Sequence, residues 1–194
     1  MIAIIDYGAG NVESVRNALQ RLNQEVILTA DKSDLAKADK IIFPGVGEAS
    51  FAMSKLKEKG LIEYIPQLTQ PVLGVCLGMQ LLCKNTEEGN TPCLGVFDTV
   101  VKKFPESKTE KIPHMGWNNH EALSGPLFEG VNLQDDFYFV HNYYAEKCSE
   151  TIGSLNYILP ISTALNKNNF FAAQFHPEKS SAAGQKLIKN FLEL

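Results

Sequence analysis

Pro71-Val72-Leu73-Gly74-Val75-Cys76-Leu77-Gly78-Met79-Gln80-Leu81-Leu82 is the stretch that decides the fold. Its first half is an apolar run of β character and its second half is compatible with a helix, with the change at Cys76. Glycines stand two residues before and two residues after the cysteine. This is the G-x-nucleophile-x-G pattern of a sharp strand-to-helix turn, with cysteine where hydrolases carry serine. A buried structural cysteine is the ordinary alternative, because free cysteine is among the most buried residue types. Gly74 and Gly78 favour the turn, since they permit a strained backbone that a plain strand does not need. The helix that follows directs its N-terminal amides at the sulfur, which favours the thiolate. Cys76 is therefore the expected nucleophile. Cys83, Cys93 and Cys148 have no such surroundings and are expected to be structural.

Working outward, the matching half lies far downstream, in Phe170-Phe171-Ala172-Ala173-Gln174-Phe175-His176-Pro177-Glu178. It reads as another buried strand, ending in a base and an acid. In an extended segment residues i and i+2 point the same way, so His176 and Glu178 both face one site. Pro177 cannot donate to a sheet ladder and marks the strand end. The expected roles are His176 as base and then acid, with Glu178 orienting its ring. A lone histidine is more often a surface or core residue; paired with a cysteine elbow it proposes a Cys-His-Glu triad and acyl transfer.

The rest of the first half alternates strand and helix. Ile2–Ile5 is a continuous apolar run, as expected of a parallel strand buried on both faces. Gly8-Ala9-Gly10-Asn11 is a turn with Asn11 as N-cap, followed by Val12, Val15, Leu19 and Leu22 at helical spacing. Residues 26–28 and 40–43 read as strands, the second closed by Pro44-Gly45-Val46-Gly47. A helix over 49–59 ends at Gly60. Alternation of this kind implies an α/β fold, a doubly wound and mostly parallel central sheet flanked by helices, whose ligands sit at the carboxyl ends of the strands. The second half is richer in β character, over residues 94–104, 137–145 and 152–165. These suggest an antiparallel strand addition that shields the sheet, with 170–175 returning to its centre. Residues 182–194 close the chain as an amphipathic helix. There is no repeat and no linker, so residues 1–194 are expected to form a single domain.

Composition excludes several classes. The chain is 44% hydrophobic and 21% charged with a net charge of −4, and its pI of about 5.6 argues against a nucleic-acid surface. No apolar run approaches the ~20 residues that span a bilayer, so no membrane is expected. The N-terminus lacks a basic region and reads as a strand, not a signal peptide. Four cysteines without a CxxC pair fit a reducing cytosol. Both glycine loops fail as dinucleotide fingerprints, because Glu13 and Ser50 stand where the third glycine would fall. Residues 44–47 read instead as a flexible strand-end turn that offers a backbone N–H to an oxyanion. His114, His120 and His141 lack metal-like spacing. No cofactor and no metal are expected. The aromatic run over 138–144 suits either a core strand or a pocket wall.

Gly74-Val75-Cys76-Leu77-Gly78-Met79-Gln80 with Phe175-His176-Pro177-Glu178 resembles the class I (triad) glutamine amidotransferase family. The likeness runs from Ile4-Ile5-Asp6-Tyr7-Gly8-Ala9-Gly10-Asn11 through Pro44-Gly45-Val46-Gly47 and Pro113-His114-Met115-Gly116-Trp117-Asn118. It continues through 138–144 to His176-Pro177-Glu178-Lys179-Ser180-Ser181, so it covers essentially the whole chain. The elbow specifies only the superfamily. The other segments narrow the likeness to the branch of glutaminase subunits that serves histidine biosynthesis.

The resemblance implies Cys76 as nucleophile, His176 as acid and base, and Glu178 as orienter. It places the oxyanion amides on Val46 and Leu77, and substrate contacts on Gly45, Gly47, Gln80, Glu88, Asn142 and Tyr143. It implies L-glutamine as substrate and a heterodimer with a synthase (cyclase) subunit of TIM-barrel type, faced by Asn11, Met115, Trp117 and Lys179. Two positions depart from the pattern: Asn142 stands where the family usually has serine, and Phe97-Asp98 replaces a Pro-Gly type turn. A paralogue supplying ammonia for an amidino sugar remains an alternative. A cysteine peptidase or chaperone-like member has no need of Gln80 or of Lys179-Ser180-Ser181, and an inactive regulatory subunit has no need of an intact triad.

Overall fold

The apolar run Ile2–Ile5 forms β1, buried along its whole length, in a computed structural model that describes residues 1–9 and 11–194. Gly10, part of the expected turn after β1, lies outside the described residues. Helix α1 (Val12–Gln20) starts at Asn11, whose side chain accepts from the Ser14 N–H, and buries Val15, Ala18 and Leu19. Strand β2 (Val26–Thr29) follows. Helix α2 (Lys32–Lys37) was not expected from the sequence, because a six-residue helix with one buried residue, Leu35, shows no apolar period. The Asp31 carboxylate caps it, accepting from the backbone N–H groups of Ser33 and Asp34. Strand β3 (Lys40–Gly45) runs two residues further than expected, and α3 (Ala49–Glu58) ends at a left-handed Gly60. Strand β4 (Val72–Cys76) turns directly into α4 (Leu77–Leu82), and α5 (Ser181–Glu193) closes the chain.

The parallel centre of the sheet has the order β2-β1-β3-β4, followed by the strand Phe170–Ala173. That last strand pairs parallel with β4, Phe170 against Val72 through Ala173 against Val75, so the downstream half does return to the middle. The antiparallel addition prolongs this same sheet through Leu159–Lys167, Tyr143–Ala145 and Val100–Lys103. It lengthens the sheet, while shielding of its face falls to the segment Phe137–His141, whose Phe137 and Phe139 share a core with Ile42, Leu73 and Phe171.

Three expected β stretches are subdivided. Of 94–104 only Val100–Lys103 is extended within the sheet. The N–H groups of Leu94, Gly95 and Phe97 instead satisfy the free carbonyls of Leu81, Cys83 and Leu82 at the end of α4. The 137–145 stretch breaks at Asn142: Phe137–His141 pairs with His114–Asn118 in a separate two-stranded sheet, and Tyr143–Ala145 joins the large one. The 152–165 stretch is a hairpin of Thr151–Tyr157 and Leu159–Lys167 that turns at Ile158.

The pleat of β1 sorts its side chains into two cores. Ala3 and Ile5 pack on the side of α3 and α4, with Leu56, Leu77 and Leu81. Ile2 and Ile4 pack on the side of α1 and α5, with Leu19, Leu187 and Phe191. Burial on both faces is what a parallel strand covered by helices requires. The carboxyl ends of β3, β4 and Phe170–Ala173 consequently open at one edge, and there the expected site residues gather.

Candidate active site

Cys76 ends β4 with φ of +55° and ψ of −111°, and is 8% exposed. A left-handed backbone at a residue with a side chain costs on the order of 1–3 kcal/mol and persists only where its surroundings enforce it. The enforcing contact is at Gly78, where a Cβ would lie 1.9 Å from the Phe43 carbonyl oxygen. Helix α4 therefore seats against β3 only with glycine at that position. Gly74 acts similarly, since a Cβ there would meet Leu82 Cδ1 at 2.7 Å. The two glycines permit the strained turn, as expected, by allowing close approach, and the positive φ itself sits on Cys76. The helix ends at Leu82 with Cys83 beyond it. Burial pushes the Cys83 thiol well up, and burial together with Glu88 takes the Cys93 thiol up to about 12, which suits inert structural thiols.

The other half is held by side chains. His176 Nδ1 and Glu178 Oε1 are 2.8 Å apart, and both side chains are almost wholly buried. The Ser180 hydroxyl donates to the His176 carbonyl at 2.6 Å and accepts from the Tyr138 N–H at 3.0 Å. The His176 N–H donates in turn to the Tyr138 carbonyl at 2.9 Å. Beneath the turn, a Cβ at Gly184 would lie 2.0 Å from the Pro177 carbonyl, so α5 reaches it only through glycine. His176 Nε2 is buried without a hydrogen-bond partner, and Cys76 lies beyond bonding geometry on the same pocket wall. Burial by itself pushes the imidazole down. The nearby Cys76 sulfur and the hydrogen-bonded Glu178 carboxylate override that and raise it to about 10, which favours the protonated ring.

An open pocket of about 250 Å³ separates Cys76 and His176 from the solvent. Of the residues expected at the site, Val46, Gly47, Leu77, Gln80, Glu88, Asn142 and Tyr143 line it together. Glu178 is absent from its wall and stands behind His176, where an orienting group belongs. Gly45 is also absent. It pairs with Cys76 in the β3–β4 register, and a Cβ on it would meet Gly78 N and Leu77 Cβ at 2.9 Å. The Tyr7 hydroxyl fastens this end of β3 by donating to the Pro44 carbonyl at 3.1 Å. The expected flexible turn over 44–47 is thus half strand, and its free part is Val46-Gly47, with Gly47 at φ of +93°.

The amide nitrogen of Gln80 donates to Tyr143 O at 3.0 Å and to Gln174 Oε1 at 2.9 Å. Both its hydrogens are used, so Gln80 presents only its oxygen to a ligand. The Glu88 carboxylate accepts from the Ala49 N–H at 2.8 Å, at the start of α3. Burial raises Glu88, the Ala49 bond lowers it, and neighbouring Glu48 raises it again, for a net rise. An acceptor oxygen and a carboxylate on one wall suit a ligand that carries an ammonium group.

Residues 3–194 match the family Glutamine amidotransferase class-I. The chain belongs to that family. It is 55% identical over 194 residues to the imidazole glycerol phosphate synthase subunit HisH of Bacteroides fragilis (strain YCH46), covering 100% of this chain and 99% of that protein. It is 50% identical to the subunit of the same name from Bacteroides thetaiotaomicron, with the same coverage. A solved structure described as a glutamine amidotransferase superposes with a TM-score of 0.77 at 19% identity, covering 100% of this chain and 98% of that one, and shares the fold.

On this glutamine amidotransferase, none of the four residues expected to face a partner lines the pocket itself. Met115 and Trp117 are 61% and 53% exposed on the strand His114–Asn118. Lys179 Nζ lies over the Tyr138 ring at 5.9 Å, and Trp117 meets that ring edge-on, also at 5.9 Å between centroids. Asn11 borders a small void with Val46 and His176. Of the two departures from the family pattern, Asn142 is on the pocket wall, and Phe97 is a core residue. The 138–144 run proves to be core and wall together, with Phe139 and Tyr144 in the core and Val140, His141, Asn142 and Tyr143 on the pocket.

Sequence reasoning passed over Gln174, Ser180 and the His114–His141 pair as parts of the site. Gln174 had a signal, being the one polar residue in the run 170–175 and two residues before His176. His114 Nδ1 and His141 Nε2 are 2.9 Å apart, and His141 Nδ1 reaches the Tyr143 carbonyl at 2.7 Å. Because a carbonyl only accepts, His141 carries its proton on Nδ1, and His114 must donate to His141 Nε2. Burial holds both rings neutral, at about 4 for His114 and, with His114 adding to it, about 3 for His141. Their role is to brace the Tyr143 carbonyl that also receives Gln80. No helix among the described residues is long and apolar enough to cross a membrane.

Proposed function

We propose that this chain is a single cytoplasmic glutaminase domain, the ammonia-producing subunit of an imidazole glycerol phosphate synthase in histidine biosynthesis. The observation that carries the reading is one pocket with the Cys76–His176 pair on one side and the Gln80 and Glu88 acceptors on another. L-Glutamine fits it with its α-ammonium on the acceptors and its side-chain amide over the sulfur. The Cys76 thiolate attacks the amide carbon, and the carbonyl electron pair moves to oxygen, held by the Val46 and Leu77 amides. As the C–N bond breaks, His176 gives its proton to the departing nitrogen, releasing ammonia and leaving a γ-glutamyl thioester. Water then attacks the thioester, His176 takes its proton, and glutamate leaves as the thiolate re-forms. Glu178 keeps the ring aligned throughout.

Free ammonia at neutral pH is mostly protonated and no longer a nucleophile, so it must pass to its acceptor without entering bulk water. A separate synthase subunit of TIM-barrel type, docked over Asn11, Met115, Trp117 and Lys179 as a heterodimer, would receive it to make imidazole glycerol phosphate and aminoimidazole carboxamide ribotide. Docking there abuts Val46-Gly47, the free part of the oxyanion strand, and supplies a means of switching the glutaminase on.

Steady-state glutamine hydrolysis by the lone subunit, by the co-purified complex and by the complex with its ribonucleotide substrate tests this reading. Hydrolysis should rise by roughly 10²–10³ across that series, the worth of one oxyanion donor. Near-maximal activity of the lone subunit would sink the gating, and a complex that makes no product from glutamine or from ammonium salts would sink the pathway assignment.

A further inference from the structure

Gln174 lies fully buried at the end of the strand Phe170–Ala173, two residues before His176 and on the same side of the chain. Its amide bridges two residues already placed in the site. Oε1 accepts from Gln80 Nε2 at 2.9 Å, and Nε2 stands 3.9 Å from Cys76 Sγ, at the long end for an N–H to sulfur contact. Such contacts tighten when substrate binds.

The direction of this bridge is determined from its far end. The Tyr143 carbonyl is an acceptor and nothing else, so Gln80 must present its nitrogen there. The second hydrogen on that nitrogen then points to Gln174, which must answer with its oxygen. The Gln174 nitrogen is thereby left facing the sulfur. His141 donates to the same Tyr143 carbonyl and is itself fixed by His114 and by Asn118, whose Nδ2 is 3.4 Å from His114 Nε2. A connected hydrogen-bond network thus runs from the strand His114–Asn118 to the nucleophile, its donors converging on the Tyr143 carbonyl from both sides, and every flip and tautomer in it follows from that one acceptor.

We propose that Gln174 is a positioning residue for the nucleophile, turning an amide N–H onto Cys76 Sγ in an orientation enforced by Gln80. This deepens the reading of Cys76 as nucleophile and rests on it. A thiolate in a dry site needs donors, and few other groups face the sulfur. From the elbow side come the N-terminal amides of a short helix. From Phe137–His141 comes the Val140 carbonyl, an acceptor 4.0 Å from the sulfur that suits only the thiol. The Tyr7 hydroxyl from beyond β1 is committed to Pro44, and His176, with Glu178 behind it, is the proton carrier. His141 on the pocket wall is spent on Tyr143. Gln174 is the uncharged side-chain donor that remains, at 3.9 Å from the sulfur.

The test is the pH dependence of Cys76 alkylation by iodoacetamide, located by mass spectrometry, alongside glutamine hydrolysis in the complex with the synthase. Gln174→Met keeps the volume and removes the donor. Its alkylation midpoint should move to higher pH by about half a unit to one unit, with hydrolysis at neutral pH falling about tenfold. Gln174→Glu keeps an acceptor for Gln80 but turns an oxygen toward the sulfur, and should move the midpoint further. A residue that only packed against Gln80 would alter the thermal unfolding midpoint and leave the alkylation profile in place. Superimposable profiles for a folded Met variant overturn the proposal, and the Glu variant decides if the Met variant shows no cooperative unfolding. If alkylating Cys76 in the unsubstituted protein leaves hydrolysis intact, the nucleophile reading itself fails. If alkylation stops hydrolysis and the variant profiles do not move, only the role of Gln174 fails.

Discussion

The two halves of the triad are built on different physical principles. Cys76 is placed by main chain: a left-handed φ at the end of β4, enforced by a helix that reaches the Phe43 carbonyl through Gly78. His176 and Glu178 are placed by side chains: the Ser180 hydroxyl, the Tyr138 peptide and an aromatic layer that includes Phe137 and Phe175, whose rings are 4.4 Å apart. A backbone-built site is stiff, because its geometry is shared with the packing of the whole sheet. A side-chain-built site is adjustable, because each hydrogen bond contributes only about 1 kcal/mol net and is replaced singly. The histidine half adjoins Tyr138, whose ring Trp117 meets edge-on and Lys179 overlies.

The comparison breaks first at the nucleophile. Cys76→Ala or Cys76→Ser should lower glutamine-dependent product formation by roughly 10⁶-fold while turnover on added ammonium salts persists in the complex. If both activities vanish from a correctly assembled complex, the division of labour between the subunits is wrong. His176→Ala should cost about as much. Glu178→Gln should cost less, about 10⁴-fold, since an amide oxygen still meets the Nδ1–H. Equal losses would mean that Glu178 does more than orient, and a negligible loss would remove it from the triad.

The backbone and side-chain halves can be probed by single methyl and hydroxyl changes. Gly78→Ala forces a methyl group into the Phe43 carbonyl. The expectation is about 3 kcal/mol of destabilisation and about 10²-fold less hydrolysis, as the elbow shifts with α4. Ser180→Ala leaves the buried Tyr138 N–H and weakens the hold on the His176 carbonyl, at about 1–3 kcal/mol. Its activity loss should be the smaller of the two. Thermal melts with matched steady-state rates check both, and a reversed order of activity loss would overturn the contrast.

The smallest effect concerns His120, buried among Phe128, Phe137, Phe139 and Phe175 with neither ring nitrogen bonded. Burial lowers it from 6.5 to about 4. The unfolded chain therefore takes up this proton before the folded one does. The stability the neutral ring contributes is whole above pH 6.5 and is lost as pH falls from there toward about 4. His120→Phe should flatten part of the decline in melting temperature across that window and leave hydrolysis nearly unchanged. A decline of unaltered slope would show that His114 and His141 carry the acid sensitivity instead.

Legibility followed the same division. The strand Ile2–Ile5, the β4 turn at Cys76 and the end of α3 at Gly60 could be read because apolar runs, elbow spacing and a C-terminal glycine are local signals. Strand β3 was read short, since nothing local shows that Pro44 and Gly45 pair with β4. Helix α2 was missed, because its stability rests on the Asp31 cap and not on an apolar face. The break at Asn142 was invisible as well: both flanking strands are aromatic, and only their different partners separate them. Within the site, a histidine in sequence beside its acid stood out, and a glutamine in an apolar run did not.

By itself the sequence determined which chemistry was present: a nucleophile on an elbow, a base with its acid two residues on, and a parallel sheet to bring them to one edge. The tertiary structure alone decided how those groups are held. Gly78 proved to be a point of close approach to β3, the part of the 44–47 turn outside β3 shrank to Val46-Gly47, and Gln174 came to lie between Gln80 and Cys76. The physical reason is range. Residue type and period act over a few neighbours along the chain, whereas close approach and hydrogen-bond direction arise only where distant segments pack together.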